Sequence, residues 1–124
     1  MAERLSGKIA WVLGAAGKNN MGQVIARRFA EEGATVIVGG RHMHVLGELA
    51  DEIQGLAIEC DITRMEDIKH SVTTIKSNYS KLDIAVNCTG WGLLVPFEET
   101  PEEDLRKMMD LQFKGPYQFM QVLV

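Results

Sequence analysis

The 124-residue sequence has no apolar run near the length of a membrane-spanning helix, and it contains few cysteines, prolines and aromatic residues. A transmembrane helix needs about 20 consecutive apolar residues, so no membrane association is expected. The first residues, MAERLSGK, are polar and lack the apolar stretch of a signal peptide. We therefore expect a cytoplasmic protein. The two cysteines, Cys60 and Cys88, are too few for a disulfide framework and are expected to be reduced and largely buried.

The sequence also has fewer basic than acidic residues, with 13 Lys and Arg and 17 Asp and Glu, which gives a net charge of −4. Nucleic-acid binding needs a basic face, so no nucleic-acid partner is expected. The chain is 46% hydrophobic and 24% charged, which is ordinary for a globular domain. His42 and His44 lie two residues apart and would not share a helix face. The sequence therefore predicts no metal site.

Four short apolar runs alternate with segments long enough for helices. They are IAWVL (9–13), TVIVGG (35–40), GLAIEC (55–60) and LDIAVNC (82–88). The runs are nearly continuous rather than alternating, which is typical of strands covered on both faces in a parallel sheet. The alternation of strand and helix predicts right-handed crossovers and an α/β, doubly wound parallel sheet.

Capping signals predict where the helices begin and end. Asn20, with Gln23 three residues on, is expected to cap the first helix, and Gly33 to follow its end. The third and fourth helices are expected to open with the capping boxes Thr63-Arg-Met-Glu66 and Thr100-Pro-Glu-Glu103, the latter with its proline at the first helical position. Gly115-Pro116 predicts a kink in the last helix.

A glycine-rich stretch, LGAAGKNNMG (13–22), lies between the first strand and the first helix. A bare backbone at this place lets N–H groups approach a phosphate, and the helix N-terminus adds partial positive charge. The spacing matches neither the common dinucleotide fingerprint nor a P-loop. The loop is therefore either a structural turn or a phosphate site, and its place after the first strand favours the phosphate. The candidate binding residues are Gly14, Gly17, Lys18, Asn20, Met21 and Gly22.

The second strand ends in GGR. An NAD site usually carries an acidic residue there to bind the ribose hydroxyls, but this chain has Gly40. Arg41 follows, and a guanidinium suits the 2′-phosphate of NADP. Lys18 is a candidate second cation on that phosphate, and the alternative is that both are solvated surface charges. The pattern favours NADP(H) over NAD(H).

The third and fourth strands end in CDI and NCTG. Asp61 is a candidate acceptor for an adenine amino group, with Ile62 against the ring, or else a turn-capping aspartate. Asn87, Thr89 and Gly90 complete the set. Because the carboxyl ends of parallel strands are where doubly wound sheets bind ligands, we expect all of these residues at one edge.

These residues resemble the short-chain dehydrogenase/reductase family over Lys8–Val124. The stretches that carry the resemblance are GAAGKNNMG, ARRFAEEGATVIVGGR, CDIT, LDIAVNCTG and DLQFKG. The resemblance implies a Rossmann-type fold and hydride transfer between NADP(H) and a small carbonyl or alcohol substrate. It also implies a homodimer or homotetramer.

The chain departs from that family at three places. Leu13 replaces a threonine and the glycine loop is longer, as in the enoyl-reductase branch, whereas NCTG resembles the classical branch. Gln112 falls where the family has a helix asparagine that orders a catalytic water, and a longer amide would shift that water. The family's catalytic Ser and Tyr-x-x-x-Lys would lie beyond Val124. The alternatives are a non-catalytic dinucleotide sensor and an enoyl-reductase-like enzyme.

The last segment, LQFKGPYQFMQVLV (111–124), is apolar and needs a covering partner. We therefore expect residues 1–124 to be the N-terminal, cofactor-binding part of a single Rossmann-type domain, truncated before its fifth strand. Alone, this piece is expected to be inactive. The expected whole is called the full-length protein below.

Overall fold

Strand and helix alternate along the chain as the apolar runs predict. The computed structural model describes residues 3–124. Its elements are β1 (Ile9–Leu13), α1 (Met21–Glu31), β2 (Thr35–Gly40), α2 (Met43–Ile53), β3 (Leu56–Glu59), α3 (Met65–Tyr79), β4 (Ile84–Asn87), α4 (Glu102–Met109) and α5 (Gly115–Leu123). A short 3-10 helix (Phe97–Glu99) precedes α4, and a π-helical turn (Asp110–Lys114) joins α4 to α5.

The four strands form one parallel sheet in the order β3-β2-β1-β4. Trp11 of β1 is paired with Ile37 of β2 on one side and with Ala85 of β4 on the other. The connection from β3 to β4 crosses β2 and β1, so β3 and β4 lie at opposite edges of the sheet and β1 and β2 lie in its interior. This is the predicted doubly wound, Rossmann-like α/β fold, and the prediction is confirmed.

Both faces of the sheet are covered, which explains why the strands read as continuous apolar runs. Trp11 and Leu13 point to the side where α3 and α5 pack, and the Trp11 ring lies 5.0 Å from that of Phe119. Val12 and Val38 point to the other side and pack with residues of α1 and α2. Because side chains alternate along a strand, β1, β2 and β3 each contribute to both cores.

The predicted caps of α1 are confirmed. The Asn20 side chain accepts a hydrogen bond from the Gln23 N–H at 3.0 Å, and Gly33 follows the helix at φ +95°. The reciprocal bond goes elsewhere, because Gln23 Oε1 accepts from the Asn19 N–H at 2.9 Å. The capping glutamine thus anchors the glycine-rich loop rather than its own N-cap residue.

The capping box predicted at Thr63 is wrong. The Thr63 hydroxyl donates to Asp61 Oδ1 at 2.7 Å, and α3 begins after Arg64, which makes no side-chain cap. Asp67 instead reaches back and accepts the Asp61 N–H at 3.0 Å. The Thr63 hydroxyl is therefore bonded within the turn around Asp61 and does not cap the N-terminus of α3.

The start predicted for α4 is also wrong. The Thr100 hydroxyl donates to the Pro96 carbonyl at 3.2 Å. Pro101 is the N-cap residue rather than the first helical residue, since its backbone is extended and its carbonyl accepts the Leu105 N–H at 3.1 Å. The Thr100 hydroxyl is thus bonded to the residue that precedes the short 3-10 helix rather than to the start of α4.

A kink is predicted at Gly115-Pro116, and the structure has a π-helical turn (Asp110–Lys114) just before these residues. The Gly115 N–H donates to the Asp110 carbonyl, five residues back. A Cβ at Gly115 would lie 3.0 Å from the carbonyl oxygens of Asp110 and Ile62. Glycine therefore lets the helix cross the turn after β3 at close range.

Two surfaces of the chain are apolar without cover among the described residues. The strand β4 has one neighbour, β1, and forms an edge of the sheet. Along α4, the π-helical turn and α5, five large apolar side chains are more than half exposed: Leu105, Met109, Phe113, Tyr117 and Met120. No helix within residues 3–124 is long and apolar enough to cross a membrane.

Candidate functional site

The carboxyl ends of the four strands enclose a cleft of about 250 Å³. Eight of the predicted site residues line it: Gly14, Gly17, Asn20, Arg41, Asp61, Ile62, Thr89 and Gly90. Six further lining residues were not predicted from the sequence as site residues: Ala16, Gly40, His42, Cys60, Cys88 and Leu111. A second cleft of about 490 Å³ adjoins the first and shares Arg41, Asp61, Gly90 and Leu111 with it.

The glycine-rich loop brings the ends of β1 and β4 into backbone contact. Gly14 has φ +100°, and a Cβ there would lie 2.5 Å from the carbonyl carbon of Cys88. The N–H groups of Gly14 and Ala15 both donate to the Gly39 carbonyl, at 2.8 and 3.0 Å. A side chain at position 14 would therefore separate strands that form the base of the cleft.

Two amide side chains brace the loop from within. Asn20 Nδ2 donates to the Gly14 carbonyl at 3.1 Å, and Gln23 Nε2 donates to the Ala15 carbonyl at 3.0 Å. Asn19, at φ +56°, completes the turn. The first N–H groups of a helix have no partner within it, and in α1 these include the N–H groups of Met21 and Gly22. The role of Gln23 went unnoticed because its position signalled only a helix cap.

Three predicted loop residues lie outside the cleft lining. The side chains of Lys18 and Met21 are exposed. Gly22 lies beneath the loop, where a Cβ would contact the Gly14 carbonyl oxygen and lie 2.8 Å from its carbonyl carbon. The absence of a side chain at Gly22 therefore allows the start of α1 to pack against the end of β1.

We expect Gly22→Ala to destabilise the full-length protein by about 2 kcal/mol, because overpacked backbone contacts must separate. Gly47, another helical glycine, has open space at its Cβ position, so Gly47→Ala should stabilise by about 1 kcal/mol through helix propensity. Urea unfolding of both variants measures the difference. Equal free energies of unfolding would contradict the packing role of Gly22.

Arg41 differs from the other arginines in having no carboxylate partner. It is exposed at the cleft, and its side chain forms no hydrogen bond or ion pair with residues 3–124. Every other arginine lies between 2.6 and 3.8 Å from a carboxylate oxygen: Arg4, Arg27, Arg28, Arg64 and Arg106. The guanidinium of Arg41 is therefore left to bind an anion from solution.

Asp61 and Asn87 form matching turns at the ends of β3 and β4. Asp61 Oδ1 accepts the N–H and the hydroxyl of Thr63 at 2.9 and 2.7 Å. Asn87 Oδ1 accepts the same pair from Thr89, at 3.0 and 2.7 Å. Both bonds of Asp61 fall on Oδ1, which leaves Oδ2 for the cleft. Asn87 lies outside the cleft lining. Its two hydrogen bonds hold Thr89, which lines the cleft together with Gly90.

The two cysteines in the cleft are poor nucleophiles. Burial, followed by the negative charges of Asp67 and Asp61, raises the pKa of the Cys60 thiol to about 11. Burial also raises the pKa of Cys88. Both are free thiols, Cys60 buried and Cys88 half-buried. Because the thiolate is the reactive form, covalent chemistry at these residues is disfavoured at neutral pH.

Gln112 lies in the π-helical turn, outside the cleft lining, and holds the segment after β4. Its Nε2 donates to the Trp91 carbonyl at 3.0 Å. Lys107 Nζ lies 4.3 Å from the centre of the Trp91 ring. Trp91 is therefore contacted by both the π-helical turn and α4. Its neighbour Gly90 lines both clefts. This link was not foreseen, because no sequence signal joins positions 91 and 112.

Comparisons with known proteins agree with this architecture. A family model described as Enoyl-(Acyl carrier protein) reductase matches residues 14–124. The NAD-dependent glycerol dehydrogenase of Listeria innocua is 36% identical over 122 residues, which are 96% of this chain and 47% of that protein. The L-fucose dehydrogenase of Oryctolagus cuniculus is 34% identical over 116 residues, which are 92% of this chain and 40% of that protein.

Solved structures share the fold. A short-chain type dehydrogenase/reductase from Mycobacterium marinum matches with a TM-score of 0.89 and 30% identity, covering 98% of this chain and 50% of the other. The chain spans about half the length of the curated relatives it matches.

Proposed function

Since the chain belongs to the short-chain dehydrogenase/reductase family, we propose that it is the N-terminal, cofactor-binding part of an oxidoreductase. Residues 1–124 would form the front of one Rossmann-type domain. The reaction would transfer hydride between NADP(H) and a small carbonyl or alcohol substrate. The nicotinamide supplies the hydride chemistry when bound, and the protein binds and orients the cofactor.

The NADP(H) part of the proposal rests on the guanidinium of Arg41, which has no carboxylate partner within residues 3–124. It lies at the end of β2, where Gly40 stands in place of the acidic residue of an NAD site. A guanidinium with no carboxylate partner is free to bind the 2′-phosphate through charge-assisted hydrogen bonds. Lys18 would add positive charge from the exposed turn nearby.

The remaining cleft residues fit the other parts of a dinucleotide. Directly after Asn20, which lines the cleft, the N–H groups of Met21 and Gly22 at the start of α1 would suit a pyrophosphate. Asp61 Oδ2 would accept the adenine amino group, with Ile62 against the ring. Thr89 and Gly90 would line the path toward the nicotinamide.

The proton-transfer groups would come from the part of the full-length protein that follows Val124. We propose Gln112 as the counterpart of the family's helix asparagine. Its Nε2 is bound to the Trp91 carbonyl, so its Oε1 is the atom left to hold a water. Gln112 would then act on the proton path through that water rather than on the substrate.

The proposal extends to partners and compartment. The exposed apolar residues of α4 and α5 support assembly of the full-length protein into a homodimer or homotetramer. The substrate is a small molecule, and the compartment we propose is the cytoplasm.

An enoyl-reductase-like activity is the second candidate. Two observations favour it: the lengthened glycine loop and the description of the family model that matches residues 14–124. The polyol and sugar dehydrogenases among the relatives favour the first candidate. A non-catalytic dinucleotide sensor would share the cleft but would turn over no substrate.

Cofactor titration followed by turnover assays tests the proposal. We expect the full-length protein to bind NADPH more tightly than NADH, measured by enhancement of nicotinamide fluorescence. It should then reduce ketones or aldehydes, or oxidise polyols and sugars, but not enoyl thioesters. Tighter binding of NADH would contradict the cofactor preference. Reduction of enoyl thioesters alone would favour the second candidate, and binding without turnover would favour the sensor.

A further inference from the structure

The guanidinium of Arg27, on α1, links α2 to the glycine-rich loop. Its Nε and Nη2 donate to the two carboxylate oxygens of Glu52 on α2, at 2.7 and 3.3 Å. Its Nη1 donates to Asn19 Oδ1 in the loop at 3.2 Å, and Nη2 also lies 3.4 Å from Gln23 Oε1. All three nitrogens of the guanidinium therefore have a partner, and two of these partners hold the loop.

Asn19 and Gln23 fix the backbone of the loop at two points. The Asn19 N–H donates to Gln23 Oε1 at 2.9 Å, and Gln23 Nε2 donates to the Ala15 carbonyl at 3.0 Å. Gln23 is buried. Because a guanidinium can only donate hydrogen bonds, the approach of Arg27 favours the amide orientation in which Gln23 Oε1 faces Asn19 and Nε2 faces Ala15.

The backbone of Asn19 gains from an additional partner. Its φ of +56° lies in the left-handed region, which is unfavourable for residues other than glycine, although asparagine tolerates it better than most. The hydrogen bond from Arg27 to the Asn19 side chain stabilises this conformation. Asn19 precedes Asn20, which lines the cleft and caps α1, so movement of Asn19 would displace a residue of the site.

The pair between Arg27 and Glu52 fixes the guanidinium in place. Two roughly parallel N–H···O bonds set the plane of the group, and the Arg27 side chain is only 30% exposed. The hydrogen bond from Arg27 also lowers the pKa of Glu52, so both groups are charged at neutral pH. Neither residue lines the cleft, so both would act on a bound dinucleotide only through the loop.

We propose that Arg27, anchored by Glu52, is a positioning residue that keeps the glycine-rich loop in the conformation that accepts the pyrophosphate of a dinucleotide. The inference rests on the proposed dinucleotide site. A loop that also samples other conformations binds its ligand more weakly, in proportion to the fraction of time spent in the competent one. NADPH and NADH share the pyrophosphate, so loss of Arg27 should weaken both equally.

The substitution Arg27→Met in the full-length protein tests the proposal, because methionine keeps an unbranched side chain and removes the guanidinium. The matched control is Arg28→Met, since Arg28 pairs with Glu31 and Glu32 at the C-terminal end of the same helix. Three quantities are measured: the dissociation constants for NADPH and NADH by fluorescence titration, the melting temperature without cofactor, and hydrogen exchange of the loop by mass spectrometry.

We expect Arg27→Met to weaken the binding of both dinucleotides by about three- to tenfold and to leave the ratio of the two dissociation constants unchanged. The loop of this variant should exchange its amide hydrogens faster in the absence of cofactor. Arg28→Met should lower the melting temperature at least as much, because its partner Glu32 is buried, but it should change neither affinity nor the exchange of the loop.

A double-mutant cycle shows whether Arg27 acts through the loop. Asn19→Ala removes the acceptor of Arg27 Nη1, so the losses of affinity caused by Asn19→Ala and Arg27→Met should overlap. The double variant should then bind dinucleotide little more weakly than the weaker of the two single variants. A role of Arg27 confined to holding α1 against α2 would instead give losses that multiply.

The inference is overturned if Arg27→Met binds both dinucleotides like the unmodified protein, or if its loss multiplies with that of Asn19→Ala. A loss confined to NADPH would overturn it as well, because both cofactors contain the pyrophosphate. Failure of the proposed function is seen in the unmodified protein, which would bind neither dinucleotide or would bind NADH more tightly. Faster exchange of the loop in Arg27→Met does not depend on that result.

Discussion

Replacing Arg41 by Ala is expected to weaken NADPH binding by the full-length protein about tenfold to a hundredfold, the loss of a charge-assisted hydrogen bond worth about 1.5–3 kcal/mol. NADH has no 2′-phosphate, so its affinity should change much less. Arg41 has no ion pair among residues 3–124, so its removal leaves no carboxylate unpaired. Fluorescence titration with both cofactors and a thermal melt separate lost binding from lost stability.

Arg106 supplies a matched control for the Arg41 experiment. It is exposed on the neighbouring cleft, where it lies 3.8 Å from Glu102. Arg106→Ala removes the same charge close by and is expected to change neither affinity by more than about threefold, as for an exposed pair. Arg41→Lys should retain part of the NADPH affinity, because an ammonium keeps the charge but not the bidentate geometry. Equal losses for NADPH and NADH in Arg41→Ala would rule out a phosphate-binding role.

Residues 1–124 expressed alone are expected to aggregate or to lack a cooperative melt, and to show no dehydrogenase activity with alcohols or carbonyls. Their strand β4 is an open edge of the sheet, and such edges pair with other chains. The helical segment also exposes large apolar side chains, of which Phe113 is 63% and Met109 51% exposed. Each Å² of such surface costs about 25 cal/mol in water. Light scattering and differential scanning calorimetry measure the outcome.

A matched pair of substitutions locates the cause of that aggregation. Met109→Lys combined with Phe113→Lys should lower the light scattering of residues 1–124. Val24→Lys should not, although Val24 is 57% exposed, because it lies on α1 away from the apolar helix face. A monodisperse monomer of residues 1–124 with a cooperative melt would contradict the prediction.

Several features of this protein follow from local sequence patterns. The bounds of β1 and β2 are those of their apolar runs, since strands buried on both faces must be apolar throughout. Asn20 caps α1 because a short side-chain oxygen two or three residues before free N–H groups needs no tertiary contact to bind them. The gathering of Arg41 and Asp61 at one edge follows from parallel strand direction alone.

Other features depend on which backbone segments meet in space. Thr63 looked like a helix cap but bonds to Asp61, because the turn after β3 offers a nearer acceptor. Gln112 reaches the Trp91 carbonyl across 21 residues, and no local pattern encodes that distance.

The specificity of the cleft shows the same division most clearly. The sequence alone determined that Gly40 stands where an acid is usual and that a cation follows it. Only the tertiary structure decided that Arg41, unlike the other arginines, has no carboxylate partner within residues 3–124. The physical reason is that a carboxylate distant in the chain can come within reach of Arg41 only when the strands and helices pack together, so the local sequence cannot show that none does.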